Sequence, residues 1–243
     1  MAIKVIINGA NGRMGREAVL AVDADNGLEL VGQTGRNDDL AAAIQSTNAD
    51  VVVDLTVPDA AFSNTMTIIE AGSHPVIGTS GLSPEDIAKL EQACAEKQLG
   101  ALIVPNFSIG AVLMMRYAKD AMKYFSHAEI IELHHDGKKD APSGTAVKTA
   151  QMMSTARQAS VTAPECKELI SGARGADCDA INIHSIRLPG LVAHQEVIFG
   201  GHYETLTIRH DSMHRQSFMP GVCLSCHKVM ELDKLIYGLD TIL

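Results

Sequence analysis

The sequence contains 243 residues, of which 46% are hydrophobic and 20% are charged, a composition typical of a folded globular protein. Its net charge of −9, its 4% aromatic content and its lack of Trp argue against a nucleic-acid partner. No apolar run approaches the roughly 20 residues that a membrane helix requires. Five cysteines, with no signal-peptide pattern over Met1–Gly9, predict reduced thiols and a cytoplasmic location.

The first hundred residues alternate short apolar runs with helical patterns, which indicates a parallel sheet covered by helices on both faces. The predicted strands are Lys4–Asn8, Leu28–Gly32, Val51–Leu55, Pro75–Ile77 and Ala101–Val104. The predicted helices are Arg13–Asp23, Asp59–Ala71 and Pro84–Gln98. This order predicts an α/β, Rossmann-type dinucleotide-binding domain.

After about residue 107 the pattern changes to a run of strands. These are predicted at Glu129–His135, Ile181–Leu188, Glu196–Gly200 and Thr205–His210. One helix, Ser143 to about Ala156, falls among them, and a helical stripe over Met219–Leu232 follows them. We predict a first domain of residues 1–107 and 219–243, and a second, α+β domain with a mixed open sheet over 108–218.

A glycine-rich turn, Gly9–Gly15, lies between the first predicted strand and helix and has the spacing G-x-x-G-x-x-G. Glycines there let the backbone approach a pyrophosphate, and the helix N-terminus offers N–H groups to it. A strand–helix turn without a ligand is the alternative. The strand–helix–strand context favours a nucleotide site.

The end of the second predicted strand bears on the choice of cofactor. An NAD site usually places Asp or Glu there, whereas the segment Gly32–Asn37 contains Arg36 and no acid. Because an arginine can pair with a 2′-phosphate, we expect NADPH to be preferred, with NADH possible. One alternative is that Arg36 is a solvated loop cation. Another is a dual-specificity enzyme in which Asn37 or Asp38 takes the place of the missing acid.

Polar or glycine turns follow the later strands, at Asp54–Pro58, Gly78–Gly81 and Pro105–Ser108. Ligands of open α/β sheets bind at the carboxyl ends of strands. We therefore expect these turns to line the nicotinamide half of the cofactor site.

The densest group of reactive side chains is Glu132–Ala146, where two histidines end a strand and Ser143-Gly144-Thr145 opens a helix. A helix N-terminus and its hydroxyls can bind a carboxylate, while Lys138 and one histidine can hold a second anionic group. The other histidine can donate a proton. A metal site is disfavoured, because adjacent strand residues face opposite sides. A capped surface helix beside structural histidines is the remaining alternative.

A C-x-x-C-H segment, Cys223–His227, matches the pattern of haem attachment. It lies on an apolar helical stripe, where cysteine behaves as a small buried hydrophobe. We expect its cysteines to serve packing.

The segment Glu132–Ala146 closely resembles the signature of the 4-hydroxy-tetrahydrodipicolinate reductase (dihydrodipicolinate reductase) family. The resemblance includes the turns named above, Pro105–Gly110 and His184–Gly190, and covers essentially the whole chain. It implies an NAD(P)H-dependent oxidoreductase of diaminopimelate and lysine biosynthesis. It also implies a homotetramer joined through the second domain, which would serve substrate binding and tetramerisation.

By motif position, the resemblance makes His134 the proton donor and Lys138 its catalytic partner. The residues implied to bind substrate are His135, Lys138, Ser143, Gly144 and Thr145. Those at the family's cofactor positions are Gly9, Arg13, Met14, Gly78, Thr79, Ser80, Pro105, Asn106 and Phe107. To these, the glycine turn and the strand ends add Asn11, Gly12, Gly15, Arg36 and Thr56. One departure is Gly35, where many members carry an acid.

We therefore predict reduction of 4-hydroxy-tetrahydrodipicolinate (dihydrodipicolinate) to tetrahydrodipicolinate by a protein with a small dicarboxylate substrate and no nucleic-acid, membrane or metal partner. Two alternatives stay open. One is a Rossmann-type reductase of another small dicarboxylate or imine. The other is a non-catalytic nucleotide sensor.

Overall fold

The computed structural model describes residues 1–158 and 166–243. Its strands are β1 (Ile3–Asn8), β2 (Leu28–Thr34), β3 (Val51–Asp54), β4 (His74–Ile77), β5 (Ala101–Ile103), β6 (His127–His134), β7 (Ala176–Cys178), β8 (Ile181–Arg187), β9 (Ala193–Gly201), β10 (Glu204–Ser212) and β11 (Leu235–Tyr237). Its helices are α1 (Arg13–Ala24), α2 (Leu40–Thr47), α3 (Pro58–Glu70), α4 (Pro84–Lys97), α5 (Ile109–Ala121), α6 (Gly144–Ala156) and α7 (Met219–Val229).

The chain divides into two compact units, each with its own sheet. Unit 1 comprises Met1–Ile109 and Arg215–Leu243, and unit 2 comprises Gly110–His214. The sheet of unit 1 is parallel, in the order β11-β5-β4-β3-β1-β2. The sheet of unit 2 is mixed, in the order β10-β9-β6-β8-β7, with β6 and β8 parallel. These two sheets confirm the predicted fold class.

The central strands of unit 1 are buried on both faces, as continuously apolar sequences predict. In β1 the residues from Val5 to Asn8 are buried, and in β3 all four residues are buried. Strand β1 has β2 on one side and β3 on the other, so the strand order reverses there. In open α/β sheets this is the point where ligands bind.

Two elements of unit 1 were not predicted. Helix α2 has eight residues and buries only Leu40 and Ile44, although Asp39 caps it by accepting the N–H of Ala42 at 3.0 Å. Strand β11 has three residues and pairs with β5. Both segments are too short for a hydrophobic period to stand out.

In unit 2, helices α5 and α6 contribute to the core that covers one face of the sheet. This core contains Ala118, Met122, Ile130, Ala146, Ala150, Met153, Ile181, Ile183, Val197 and Phe199. The one helix predicted among the strands is α6, whereas α5, which precedes these strands, was not predicted. Its first turn contains Gly110, which has low helix propensity and resembles a turn signal. Strand β7 was also missed, at three residues.

Across residues 1–158 and 166–243, no helix combines the length and apolar character needed to cross a membrane. In the same ranges, no three His, Cys, Asp or Glu residues are grouped to hold a metal ion. The C-x-x-C-H segment lies on α7, where Cys226 is fully buried. Burial raises the pKa of the Cys223 thiol to about 11. A thiol with so high a pKa is a poor nucleophile at neutral pH.

Candidate active site

The turn between β1 and α1 depends on glycines that allow close backbone contacts. Gly9 has a φ of +88°, and a Cβ there would lie 2.5 Å from the carbonyl oxygen of Leu55. A Cβ at Gly15 would clash with the carbonyl oxygen of Gly9. Gly12 is the N-cap of α1, so no side chain caps the first amides of the helix. Such amides lack intrahelical acceptors, and a phosphate can fill that role.

A pocket of about 520 Å³ opens beside this turn. It is lined by Asn8, Gly9, Asn11, Gly12, Gly35, Arg36, Asn37, Asp38, Leu40, Leu55, Thr56, Val57, Ala60 and Asn64. Five of these were predicted cofactor residues, namely Gly9, Asn11, Gly12, Arg36 and Thr56. Leu55 and Val57 belong to the turn Asp54–Pro58, which was expected to line the cofactor site. Asn8, Leu40, Ala60 and Asn64 received no cofactor role from the sequence, because they lie on β1, α2 and α3.

A buried carboxylate holds the carboxyl ends of the neighbouring strands together. Asp54, at the end of β3, accepts hydrogen bonds from Nδ2 of Asn8 at 2.9 Å and Nδ2 of Asn64 at 2.8 Å. It also accepts the hydroxyls of Thr56, at 2.8 Å, and Thr79. Thr79 is buried, and its oxygen in turn accepts the N–H of Thr56 at 2.9 Å. The hydroxyl of Thr79 is therefore part of the scaffold beneath the pocket.

The loop after β2 brings a cation and an anion to the same pocket. Arg36 and Asp38 both line it, and both are exposed. The Asp38 carboxylate accepts the backbone N–H of Gly35 at 2.8 Å. A carboxylate three residues after Gly35 therefore lies at the pocket.

The other predicted cofactor residues lie outside the lining of this pocket. Gly78 is required by packing, because a Cβ there would lie 2.5 Å from the ring of Phe107. Phe107 is only 4% exposed, so its side chain belongs to the core. The side chains of Arg13, Ser80 and Pro105 are exposed, and those of Met14 and Asn106 are half-buried.

In unit 2, His134 ends strand β6 and forms part of a charged cluster. Its Nδ1 lies 2.5 Å from Oε2 of Glu132, two residues earlier on the same face of the strand. Arg187, the register partner of His134 on β8, donates to both oxygens of Glu132 at 2.8 Å. Neither Glu132 nor Arg187 had a role predicted from the sequence, although strand alternation places Glu132 on the face of His134.

Glu132 is fully buried and remains ionised. Burial alone would raise the pKa of its carboxyl, but hydrogen bonds from His134, Arg187 and Ser185 outweigh burial and lower the pKa to about 2. Its Oε1 also accepts the backbone N–H of Ser143 at 3.2 Å. One carboxylate thus connects His134 to the start of helix α6.

The loop between β6 and α6 carries Lys138, whose Nζ lies 2.8 Å from both carboxylate oxygens of Asp140. The hydrogen bond from Lys138 lowers the pKa of Asp140, whose side chain is 61% exposed. Arg187 donates to the carbonyl oxygen of Asp140 at 2.7 Å. The predicted anion-binding lysine is therefore paired with a carboxylate of its own loop.

The start of α6 contains the remaining predicted substrate residues. Ser143 is buried and caps the helix by accepting the N–H of Ala146 at 3.2 Å. Gly144 is exposed, and a Cβ there would meet no atom of the described residues within 4 Å. Thr145 and, before the loop, His135 are half-buried. The helix N-terminus at Gly144 therefore has open space beside it.

A glycine-rich turn at the switch point of a parallel sheet, joined to a second unit with a histidine–carboxylate pair, is typical of pyridine-nucleotide oxidoreductases. The chain belongs to the dihydrodipicolinate reductase family. The family model described as "Dihydrodipicolinate reductase, N-terminus" matches residues 3–107, and the family model described as "Dihydrodipicolinate reductase, C-terminus" matches residues 110–243. Both units are therefore accounted for by one family.

Named relatives agree with this membership. The 4-hydroxy-tetrahydrodipicolinate reductase of Coxiella burnetii (strain RSA 493 / Nine Mile phase I) is 56% identical over 243 residues, covering 100% of both chains. That of Geobacillus kaustophilus (strain HTA426) is 50% identical over 264 residues, again covering 100% of both. A solved structure, dipicolinate-bound dihydrodipicolinate reductase from Paenisporosarcina sp. TG-14, is 44% identical, with a TM-score of 0.94 over 100% of both chains.

More distant structures share the fold alone. A probable dehydrogenase from Thermotoga maritima is 10% identical, with a TM-score of 0.66 over 99% of this chain and 92% of that chain.

Proposed function

We propose that the protein catalyses the NAD(P)H-dependent reduction of 4-hydroxy-tetrahydrodipicolinate (dihydrodipicolinate) to tetrahydrodipicolinate in diaminopimelate and lysine biosynthesis. The family match over residues 3–107 and 110–243 is the observation that carries this assignment. The identity of 56% to a named reductase over the whole chain supports it. The alternatives, a reductase of another substrate and a nucleotide sensor, have no comparable support.

The residues of unit 1 fit a nicotinamide cofactor. The glycine turn admits a close backbone approach at Gly9, and the pocket beside it contains Arg36 and Thr56. When bound, the cofactor supplies the hydride for the reduction. We assign its binding to Gly9, Asn11, Gly12, Arg13, Met14, Gly15, Arg36, Thr56, Gly78, Thr79, Ser80, Pro105, Asn106 and Phe107. Of these, Phe107 and Thr79 would act through backbone groups or packing, because their side chains are buried.

The residues of unit 2 fit a small dicarboxylate. We assign to His134 the donation of a proton to the substrate ring, and to Lys138 a charge-assisted contact with a substrate carboxylate. Gly144 and Thr145 would offer the N-terminus of α6 to the second carboxylate, with Ser143 and His135 beside them. The related reductase from Paenisporosarcina sp. TG-14 is bound to dipicolinate, a planar pyridine dicarboxylate, which supports this class of ligand.

Three finer assignments belong to the same proposal. Arg36 supports a preference for NADPH over NADH. The exposed segment Glu204–Thr207 of strand β10 supports assembly through unit 2 into a homotetramer, which sedimentation would detect as a species four times the mass of the chain. A cytoplasmic location follows from the expectation of reduced thiols.

The proposal is tested by a coupled assay on the purified protein. The substrate is generated in the cuvette by the preceding condensation enzyme, and NADPH oxidation is followed by absorbance. We expect oxidation only when the dicarboxylate precursor is being formed. Oxidation that proceeds equally without the precursor, or no oxidation with either cofactor, would refute the proposed reaction.

A further inference from the structure

Glu132 occupies a central position among the groups assigned to chemistry in unit 2. It is the only carboxylate that contacts His134 among the described residues, and the contact is made through Nδ1 at 2.5 Å. Arg187 donates a hydrogen bond to each of the two carboxylate oxygens of Glu132 at 2.8 Å, and the backbone N–H of Ser143 donates to Oε1. The carboxylate is fully buried, so water does not compete for it.

The protonation of Glu132 decides which ring nitrogen of His134 carries a hydrogen. A carboxylate with a pKa of about 2 is ionised at neutral pH and can only accept hydrogen bonds. Its partner, Nδ1 of His134, must therefore be the N–H donor. That arrangement leaves Nε2 as the nitrogen that can exchange a proton with a ligand.

We propose that Glu132 is a positioning residue for the reaction: it fixes the ring of His134 with Nδ1–H toward itself, so that Nε2 delivers the proton. Arg187 keeps Glu132 ionised and in place, and the bond to Ser143 sets the start of α6 relative to the same carboxylate. This inference rests on the proposed role of His134 as proton donor.

The proton step balances within the proposed reaction. The 4-hydroxyl of the substrate leaves as water, which gives the unsaturated ring that is reduced. The Nε2–H bond of the imidazolium then breaks, its electron pair stays on Nε2, and its proton goes to one ring carbon. A hydride from the bound cofactor would form the second new C–H bond with its own electron pair. His134 is left as a neutral ring that keeps Nδ1–H on Glu132. A proton from solvent restores the imidazolium before the next turnover.

Within residues 1–158 and 166–243, few charges surround this pair. On β8 the neighbour is Arg187, and beyond it lies the Asp140–Lys138 ion pair of the loop. On β9 the register partners of Glu132 and His134 are the neutral Gln195 and Ala193. From α6 the contact is the uncharged Ser143. Removing the charge of Glu132 would therefore leave His134 beside an arginine with no local anion between them.

A direct test reads the tautomer of His134 without any substrate. In protein labelled with ¹⁵N at histidine, the His134 ring signals are assigned by their loss in His134→Gln. We expect the neutral ring of His134 to carry its proton on Nδ1, which faces Glu132. A neutral ring protonated on Nε2 alone would overturn the inference, even if the protein is an active reductase.

A kinetic test separates positioning from folding. We expect Glu132→Gln to lower kcat at least about tenfold, as loss of a histidine-orienting carboxylate does, with KM changed less than about threefold. Glu132→Asp, which keeps a carboxylate at this position, should retain more of the wild-type kcat than Glu132→Gln.

Glu129 provides a matched control on the same strand. Its carboxylate pairs with His184, at 2.8 Å, and with Arg174, but it lies three residues earlier, on the opposite face of the sheet. Glu129→Gln should leave kcat and the pH profile unchanged. In a His134→Gln background, Glu132→Gln should cause no further loss of kcat.

The outcomes distinguish the two levels of the proposal. If His134→Gln retains wild-type turnover, the proposed role of His134 is wrong. If His134→Gln is impaired but folded Glu132→Gln has wild-type kcat and pH profile, only the inference about Glu132 fails. If Glu132→Gln lowers kcat by the same factor in the wild-type background and in the His134→Gln background, the role of Glu132 is merely structural. Should Glu132→Gln fail to fold, the tautomer measurement and Glu132→Asp decide the question.

Discussion

The carboxylate of Asp38 accepts the backbone N–H of Gly35 at 2.8 Å, so an acid is held at the pocket that Arg36 also lines. The loop after β2 therefore contains a cation suited to a 2′-phosphate and a carboxylate suited to ribose hydroxyls. The balance between these two side chains sets the cofactor preference that we propose.

Arg36→Ala should lower kcat/KM for NADPH at least about tenfold, because a hydrogen bond to a charged group contributes roughly 1.5–3 kcal/mol. The effect should decrease with added salt, since Arg36 is exposed. Asp38→Asn should instead lower kcat/KM for NADH. Steady-state kinetics with both cofactors at low ionic strength checks these changes. Equal efficiency of NADH and NADPH in the wild type would show that Arg36 is only a solvated cation.

Most of the sheet of unit 1 could be predicted because several of its strands contain continuous apolar runs. Val51–Asp54 is buried throughout. The three consecutive valines before Asp54 are typical of a strand that is buried on both faces of a parallel sheet. Helix α5 could not be predicted as readily, because Gly110 in its first turn has the same signature as a loop. Short elements such as β11 are fixed by pairing with a distant strand, which leaves no local pattern.

The candidate site could be proposed from the sequence where its residues are close along the chain. The glycine turn is one such segment, and the segment that contains His134, Lys138 and Ser143 is another. The pairing of Glu132 with Arg187 depends on the parallel register of β6 and β8, which joins residues 55 positions apart. The Asp38 contact depends on a loop conformation. Neither leaves a signature in sequence spacing.

Asp54→Asn should destabilise unit 1 by at least about 2 kcal/mol, because an amide cannot replace a buried charged acceptor for several donors. Asp50→Asn is the matched control. The half-buried Asp50 carboxylate accepts the backbone N–H of Lys4 at 2.8 Å. Urea unfolding should show a clearly smaller loss for Asp50→Asn, and equal losses would contradict the scaffold role given to Asp54.

Lys138→Ala should weaken the binding of pyridine-2,6-dicarboxylate about tenfold, because a charge-assisted contact is lost. Asp140→Asn should strengthen binding, since it removes the carboxylate that pairs with Lys138 in the structure. Calorimetric titration measures both. NADPH affinity serves as the control and should change much less, because these residues belong to unit 2. Equal losses for the two ligands in Lys138→Ala would mean that the substrate and cofactor sites are wrongly assigned.

The stability of the protein should fall steeply in acid because of Glu132. Its pKa is lowered from 4.5 to about 2 on folding, so its contribution is complete above pH 4.5 and is lost as the pH falls toward 2. The shift corresponds to a contribution of about 3 kcal/mol. Urea unfolding between pH 6 and pH 2.5 should show a weaker dependence on pH in Glu132→Gln. If the free energy of unfolding of Glu132→Gln depends on pH as steeply as that of the wild type, Glu132 is not ionised in the folded protein.

Substitution of His134 tests most directly whether this side chain donates the proton for the reduction. In the coupled assay, His134→Gln should lower kcat by about 10²-fold or more, within the range of general acid–base catalysis. The matched control is His127→Gln, at the exposed start of the same strand, which should retain wild-type kcat. Circular dichroism establishes that both variants are folded. Wild-type turnover in folded His134→Gln would contradict the proposed role of His134.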